Sequence, residues 1–276
     1  MDALTILEFL AAPIAASLII AGIHAYLGLH VVERGVIFVD LSLAQIASLG
    51  AAIGVFIGLE PHDPSIYWLS LGFTLIGALI FALIKGQAAD IPQEAIIGIS
   101  YAVASAAVIL VMSQSTGESE HLRDMLVGNI LSVQWTEVWI TAAIYAVIGV
   151  FHYIYRKRFL DISLDAKGAA ARGVSVRFWD FLFYASFGIV VTRSVAIAGV
   201  LLVFCYLIVP SVGAMLWAKR IGPRLAIGWI MGGVVSMLGM YFSVLFDLPT
   251  GATIVCTFGG ILVLMALVRP LAARSR

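Results

Sequence analysis

Four polar side chains interrupt the second apolar stretch of the chain: Asp40, Ser42, Gln45 and Ser48. A carboxylate, an amide and two hydroxyls can replace part of an ion's hydration shell, or they can glue one helix to another. On a helix, Ser42, Gln45 and Ser48 fall on one stripe at i, i+3 and i+6, and Asp40 lies about 140° from Gln45. Small residues fill the surroundings: Ala44, Ala47, Gly50, Ala51, Ala52 and Gly54. Such residues let helices approach closely. Two readings stand side by side: a packing seam held by hydrogen bonds, or a face that lines a path for polar cargo. An acid at the centre of a membrane helix costs about 2.5–3.5 kcal/mol on insertion scales, so it faces a cavity or a partner as a rule. Asp40 reads as the one strong acid at mid-span.

Most other polar groups lie outside the apolar stretches. Glu60, His62 and Asp63 form an acidic cluster in a loop, and Glu118, Glu120, His121 and Asp124 form another before a short helix at about 121–131. Each reads either as a solvated loop or as a vestibule that attracts cations. Asn129, in the short helix, is placed to line an outer gate. His24, near Tyr26, reads as a packing histidine, and His30 as an interfacial one. Asp247 is expected to cap the final span through its carboxylate. Cys205 and Cys256 lie in apolar runs and read as small packing residues rather than a disulfide pair. No H-E-x-x-H motif occurs within a span, and His24 has no acidic neighbour at helical spacing, which argues against intramembrane proteolysis. A G-x-x-x-x-G-K-[ST] phosphate loop is absent as well. Energy for any active process therefore comes from an ion gradient or from a partner chain.

The elements that position these residues are long apolar runs. Apolar residues make up 62% of the 276 and charged residues 12%. A helix needs about 20 mostly apolar residues to cross the ~30 Å hydrocarbon layer, and open sheets leave backbone groups unpaired in lipid. The chain is thus expected to be all-α: a polytopic transmembrane bundle forming a single domain over 1–276. Nine spans are expected, at about 8–28, 36–59, 66–84, 93–113, 135–155, 178–193, 195–217, 225–246 and 251–268, with Pro and Gly at their ends. The first has no basic segment before it and reads as a retained span, not a cleaved signal. Fourteen of the sixteen Lys and Arg residues fall in alternate loops and the C-terminal tail, while the opposite loops carry mainly acids. That segregation argues for membrane topology rather than nucleic-acid binding. The basic side is expected in the cytoplasm, with the N-terminus outside and the C-terminus inside. Arg123 and Arg193 are the exceptions, and the break between the sixth and seventh spans is expected near Arg193.

The longest hydrophilic connection runs from about Arg156 to Arg177. Within it Ser163 can cap a helix start, with Asp165 and Ala166 in the first turn. The run Ala166, Lys167, Gly168, Ala169, Ala170, Ala171 favours helix, and Gly173 can end it. A short, small-sided helix at about 163–173 results. It reads either as a surface connector or as an element that docks in a groove of a cytoplasmic partner.

Five segments in order carry a family resemblance: Glu94 to Tyr101, Val127 to Val133, Leu164 to Gly173, Ala198 to Pro210, and Asp247 to Val255. Over about residues 10–268 the chain resembles the permease subunits of ATP-binding-cassette importers for zinc, manganese and iron. The resemblance implies the metal/cobalamin-type importer permease fold. It also implies a second copy of the chain, with the pathway near the shared axis. A cytoplasmic ATPase dimer would carry the ATP and grip a coupling helix at Asp165, Ala166, Gly168, Ala169 and Gly173. An extracytoplasmic metal-binding protein would deliver a divalent metal ion as cargo. The family's polar motif falls in the second span, which favours a lining role for Ser42 and Gln45. The match there is imperfect: counting from Arg34, the family pattern places an Asp near Leu41 and a His at Gln45. This chain has Asp40, one residue early and turned by about 100°, and an amide where an imidazole would suit zinc better. The alternative of another class is a gradient-driven secondary transporter or channel, which is expected to show a repeated half or charged midplane residues.

Overall fold

In a computed structural model, residues 3–60, 63–84, 92–114 and 130–274 are described. They form α1 (Ala3–Arg34), α2 (Val39–Phe56), α3 (Pro64–Ile84) and α4 (Gln93–Met112), then a single 3-10 turn (Ile130–Ser132). There follow α5 (Trp135–Ile154), two short helices α6 (Arg156–Leu164) and α7 (Ala166–Ala171), and α8 (Val176–Ala198), α9 (Val200–Trp217), α10 (Ile221–Phe246) and α11 (Thr250–Arg274). No strand occurs among the described residues. Nine of these helices are long and apolar enough to cross a bilayer, as the hydropathy pattern requires: α1 from Phe9, α2 to α5, and α8 to α11. Of the short helix expected at about 121–131, only the turn at Ile130 lies among the described residues.

The break between the sixth and seventh spans falls at Gly199, six residues beyond Arg193. Gly199 has φ 75°, a conformation open to glycine and costly for residues with a Cβ. Arg193 is therefore inside α8 rather than at its end.

The described residues divide into two compact units. One comprises residues 1–32, 126–149 and 197–276: most of α1, most of α5, and α9 to α11. Small residues set its packing. Along α1, Leu18, Ala21 and Ala25 recur at i, i+3 and i+7, and they lie where side chains on Gly233, Gly232 and Gly228 of α10 would stand. A Cβ on Gly28 would run into the Leu207 carbonyl of α9, and one on Gly239 would come within 2.7 Å of Ile254 Cα. The Trp229 indole donates to the Gly22 carbonyl at 2.9 Å, tying α10 to α1.

The other unit comprises residues 33–125 and 150–196. Here α2 packs between α3 and α4. A Cβ on Gly50 would stand 2.8 Å from Ser70 Cα of α3, while Ala52 of α2 joins Val108 and Met112 of α4 in a buried cluster. α8 closes on α3 through Thr74 and Thr192, whose hydroxyls are 3.0 Å apart. Gln93 Nε2, opening α4, donates to the Phe81 carbonyl of α3 and to Tyr184 Oη of α8.

Candidate functional site

The polar residues of α2 take their places from a tight corner. α1 ends at Arg34; Gly35 follows with φ 67°, and α2 begins at Val39. Glu94 of α4 accepts the Phe38 amide through Oε1 at 3.0 Å, so α4 holds the far side of the corner. Asp40 is the second residue of α2 and the acid of its first turn, where the positive end of the helix dipole favours a carboxylate. It therefore stands at one end of the span and not at mid-span as the hydropathy run suggested; Gln45 and Ser48 lie nearer the middle. All four polar residues are buried, Ser42 completely. Neither carboxylate oxygen of Asp40, nor the Ser42 hydroxyl, has a hydrogen-bond partner among the described residues. Buried polar atoms are paired in most proteins, so oxygens of this kind mark places that polar ligands or water can serve. No group of three or more His, Cys, Asp or Glu able to hold a metal ion occurs among the described residues.

The connection between α5 and α8 is two helices rather than one. α6 buries Phe159, Ile162 and Ser163, the i, i+3, i+4 face of a surface helix. Asp165 then caps α7: its Oδ1 accepts the Gly168 amide at 2.8 Å. Ser163, expected at that position, is instead committed to α6 and accepts a hydrogen bond from Arg34 Nε at 2.8 Å. A Cβ on Gly168 would run into the Asp165 carboxylate as it stands, so a larger residue there would turn the capping side chain to another rotamer. The other end of α7 closes by the paired bonds of a Schellman motif: Val174 N to Ala169 O at 3.1 Å and Gly173 N to Ala170 O at 2.9 Å, with Gly173 at φ 80°. Ala169 is fully buried; Ala166 and Gly168 are half-buried. The face of α7 left to solvent carries Lys167, Ala170 and Ala171, next to Arg172.

One cluster has no counterpart in the sequence reading. Arg34, one of the basic residues expected in a loop, has a buried side chain and pairs with Asp180 of α8 at 2.6 Å, with side-chain exposures of 2% and 0%. Its guanidinium also lies 3.9 Å over the ring of Phe183. Next to it, the His152 ring stacks on Phe159 of α6 at 4.3 Å and its Nε2 is 2.8 Å from Ser186 Oγ of α8. Two charges near span ends, Arg34 and Asp180, were the available signal.

Asn129, His62, Glu118, Glu120 and His121 lie outside the described residues. Asp63 is described, and its Oδ1 accepts the Ser65 amide at 2.7 Å, with Pro64 opening α3. Those hydrogen bonds, to the Ser65 amide first and its hydroxyl second, hold the Asp63 carboxyl below its ordinary value. Asp247 does not cap the last span. It ends α10 in the left-handed conformation, φ 52°, and the Ser243 hydroxyl, 2.6 Å from Thr250 Oγ1, joins the end of α10 to the start of α11. His24 is buried, with Nδ1 bonded to the Ile20 carbonyl at 2.9 Å, as a packing histidine is. Cys205 and Cys256 are both free.

Comparison with known proteins fits this arrangement. The sequence profile of the ABC 3 transport family matches residues 6–269. The manganese transport system membrane protein MntC of Halalkalibacterium halodurans is 25% identical over 257 residues, covering 92% of this chain and 85% of MntC. The manganese import system permease protein ScaB of Streptococcus gordonii is 25% identical over 250 residues, covering 91% and 87%. Among solved structures, PsaBC from Streptococcus pneumoniae in complex with Fab superimposes with a TM-score of 0.78 at 25% identity, over 93% of this chain and 90% of that one. A family profile spanning nearly the whole chain and nine membrane-length helices in a shared fold lead to one conclusion: the protein is a multi-pass member of the ABC 3 transport family, embedded in the bacterial cytoplasmic membrane.

Proposed function

We propose that this chain is the permease subunit of an ATP-driven importer of divalent transition-metal ions, with manganese the first candidate and iron and zinc its chemical neighbours. The observation that carries the reading is the family match over residues 6–269, together with relatives that bear the name of manganese transport. ATP is hydrolysed on a separate partner dimer, two copies of this chain form the membrane core, and an extracytoplasmic binding protein hands over the metal. The whole chain acts as a single permease domain, with its basic loops in the cytoplasm.

The cargo path runs beside α2. Asp40 and Ser42 supply oxygens without a hydrogen-bond partner among the described residues, and Gln45 adds an amide oxygen. Oxygen donors suit manganese better than an imidazole-selective ion such as zinc. Their burial fits a stage of the cycle in which this part of the path is shut, and a transport site must in any case bind weakly enough to release. α7 is the docking element for the ATPase. Asp165, Gly168 and Gly173 shape it, Ala169 seats it, and Ala166 with its exposed small residues meets the partner. ATP binding would then reverse the open side of the path. Asn129 is assigned to the path at its outer gate, and His62, Glu118, Glu120 and His121 to the outer vestibule.

The test is reconstitution in vesicles with manganese(II) as probe. The permease alone is expected to move no manganese, and the permease with its ATPase and binding protein to accumulate it on addition of ATP. Gln45→Leu and Asp40→Asn are expected to slow that uptake about tenfold, the scale of one to two kcal/mol of lost stabilisation. Uptake by the isolated chain, driven by an ion gradient, would overturn the reading.

A further inference from the structure

We propose that Arg34 is a positioning residue for transport: its bonds to Asp180 and Ser163 carry displacement of the α6–α7 segment into the first turn of α2. The proposal rests on the reading of the chain as the membrane subunit of an ATP-driven importer, and it assigns the internal link which that reading leaves open.

Two elements, α6 and α8, converge on the guanidinium at the end of α1. Nε donates to Ser163 of α6 at 2.8 Å, Nη1 donates to Asp180 of α8 at 2.6 Å, and the flat face rests on Phe183, one turn further along α8, at 3.9 Å. The donors of an arginine are fixed in a plane, so Arg34 cannot follow one partner without moving the others or breaking a bond. Ser163 is two residues from Asp165, the cap of α7. A push on α7 therefore reaches the guanidinium with almost no flexible chain between.

The segment behaves as a solid piece on that side. Phe159 of α6 is fully buried, stacked on His152, and His152 is bonded to Ser186 of α8. On the other side of Arg34 only residues 35–38 separate it from α2. That corner is pinned at its far end by the Glu94 carboxylate on the Phe38 amide. Movement of Arg34 is thus passed to the turn that holds Asp40, and through Glu94 to α4. An apolar pair would hold residue 34 against residue 180 equally well; a planar guanidinium with two hydrogen bonds and a ring beneath its face also fixes where the corner must go.

The experiment compares three proteins, each assembled with its ATPase and binding protein in vesicles: wild type, Asp180→Asn and Ser163→Ala. Manganese(II) uptake and ATP hydrolysis are measured on the same vesicles, and their ratio is the readout. The wild-type complex must take up manganese on ATP; if it does not, the functional reading fails, whatever the variants do. Given uptake, Asp180→Asn is expected to assemble and hydrolyse ATP at near the wild-type rate while the ratio of metal moved to ATP consumed falls about tenfold, the scale of a typical coupling energy. Ser163→Ala removes one bond and leaves the ion pair, so it is expected to lower the ratio about threefold, by the same arithmetic. If Asp180→Asn does not assemble, Ser163→Ala decides alone. An unchanged ratio in Ser163→Ala and in any assembled Asp180→Asn complex would overturn the proposal, as would uptake and hydrolysis falling in step, since a merely structural lesion lowers both together.

Discussion

Removing the Asp180 carboxylate leaves the Arg34 guanidinium in a site with 2% exposure, and breaking such a buried pair from one side costs about 3–5 kcal/mol. Asp180→Ala is therefore expected to lower the melting temperature of the purified chain in detergent sharply. The double change Arg34→Met with Asp180→Leu is expected to restore most of it, because an apolar pair of similar volume avoids the desolvation of two charges. Asp165 acts more locally. Asp165→Ala removes the Gly168 cap and costs about 1 kcal/mol, which hydrogen exchange reads as about fivefold faster opening of the α7 amides. Asp63 supplies the pH-dependent case. Its folded pKa is lowered by the bonds from Ser65, so its contribution to the start of α3 is present above the ordinary aspartate range and is lost as pH falls through the lowered value. Amides at residues 65–67 are expected to lose protection in acid, and in Asp63→Asn that acid step disappears. Local sequence showed that a cap lay near 163–165 but not which residue made it. Ser163 is claimed by an arginine 129 positions away, and no window of neighbouring residues contains that contact.

Helices were the most readable level, because the free energy of placing an apolar run in lipid is a property of the run itself. Among the described residues nine membrane-length helices occur, each overlapping an expected span, with ends that differ by up to six residues. The break at Gly199 was misplaced because a charge, Arg193, drew the boundary, while the backbone needed a residue that accepts φ 75°. Helices α8 and α9 have 23 and 18 residues; as one straight rod they would measure about 60 Å, twice the hydrocarbon layer, so a break was required somewhere. Packing between helices was legible only as a richness in glycine. Gly28 and Gly50 meet neighbouring backbone directly, whereas a Cβ on Gly22 or Gly98 meets nothing within 4 Å. Gly28→Ala and Gly50→Ala are each expected to destabilise by about 1–3 kcal/mol. Gly22→Ala and Gly98→Ala are expected to leave the melting temperature unchanged or raise it slightly, since alanine favours helix over glycine.

For the molecule as a whole, the basic loops give an orientation that chemistry can check. Ser175 is exposed between α7 and α8. In a chain with Cys205 and Cys256 replaced, Ser175→Cys is expected to resist a membrane-impermeant thiol reagent in intact cells and to react fully once the membrane is opened. The site was less readable than the topology, because polar stripes look alike whether they line a path or seal a seam. The oxygens of Asp40 and Ser42, without a hydrogen-bond partner among the described residues, are what favours a path over a seam on α2. The closure of α7 at both ends has a kinetic consequence. Ordering a free backbone costs about 1–2 kcal/mol per residue, and the six residues Ala166–Ala171 are already held by Asp165 at one end and Gly173 at the other. A cytoplasmic partner would meet a finished shape, so its landing is governed by diffusion and orientation rather than by waiting for the loop to fold. Repeated attachment and release within one turnover then carry no ordering penalty.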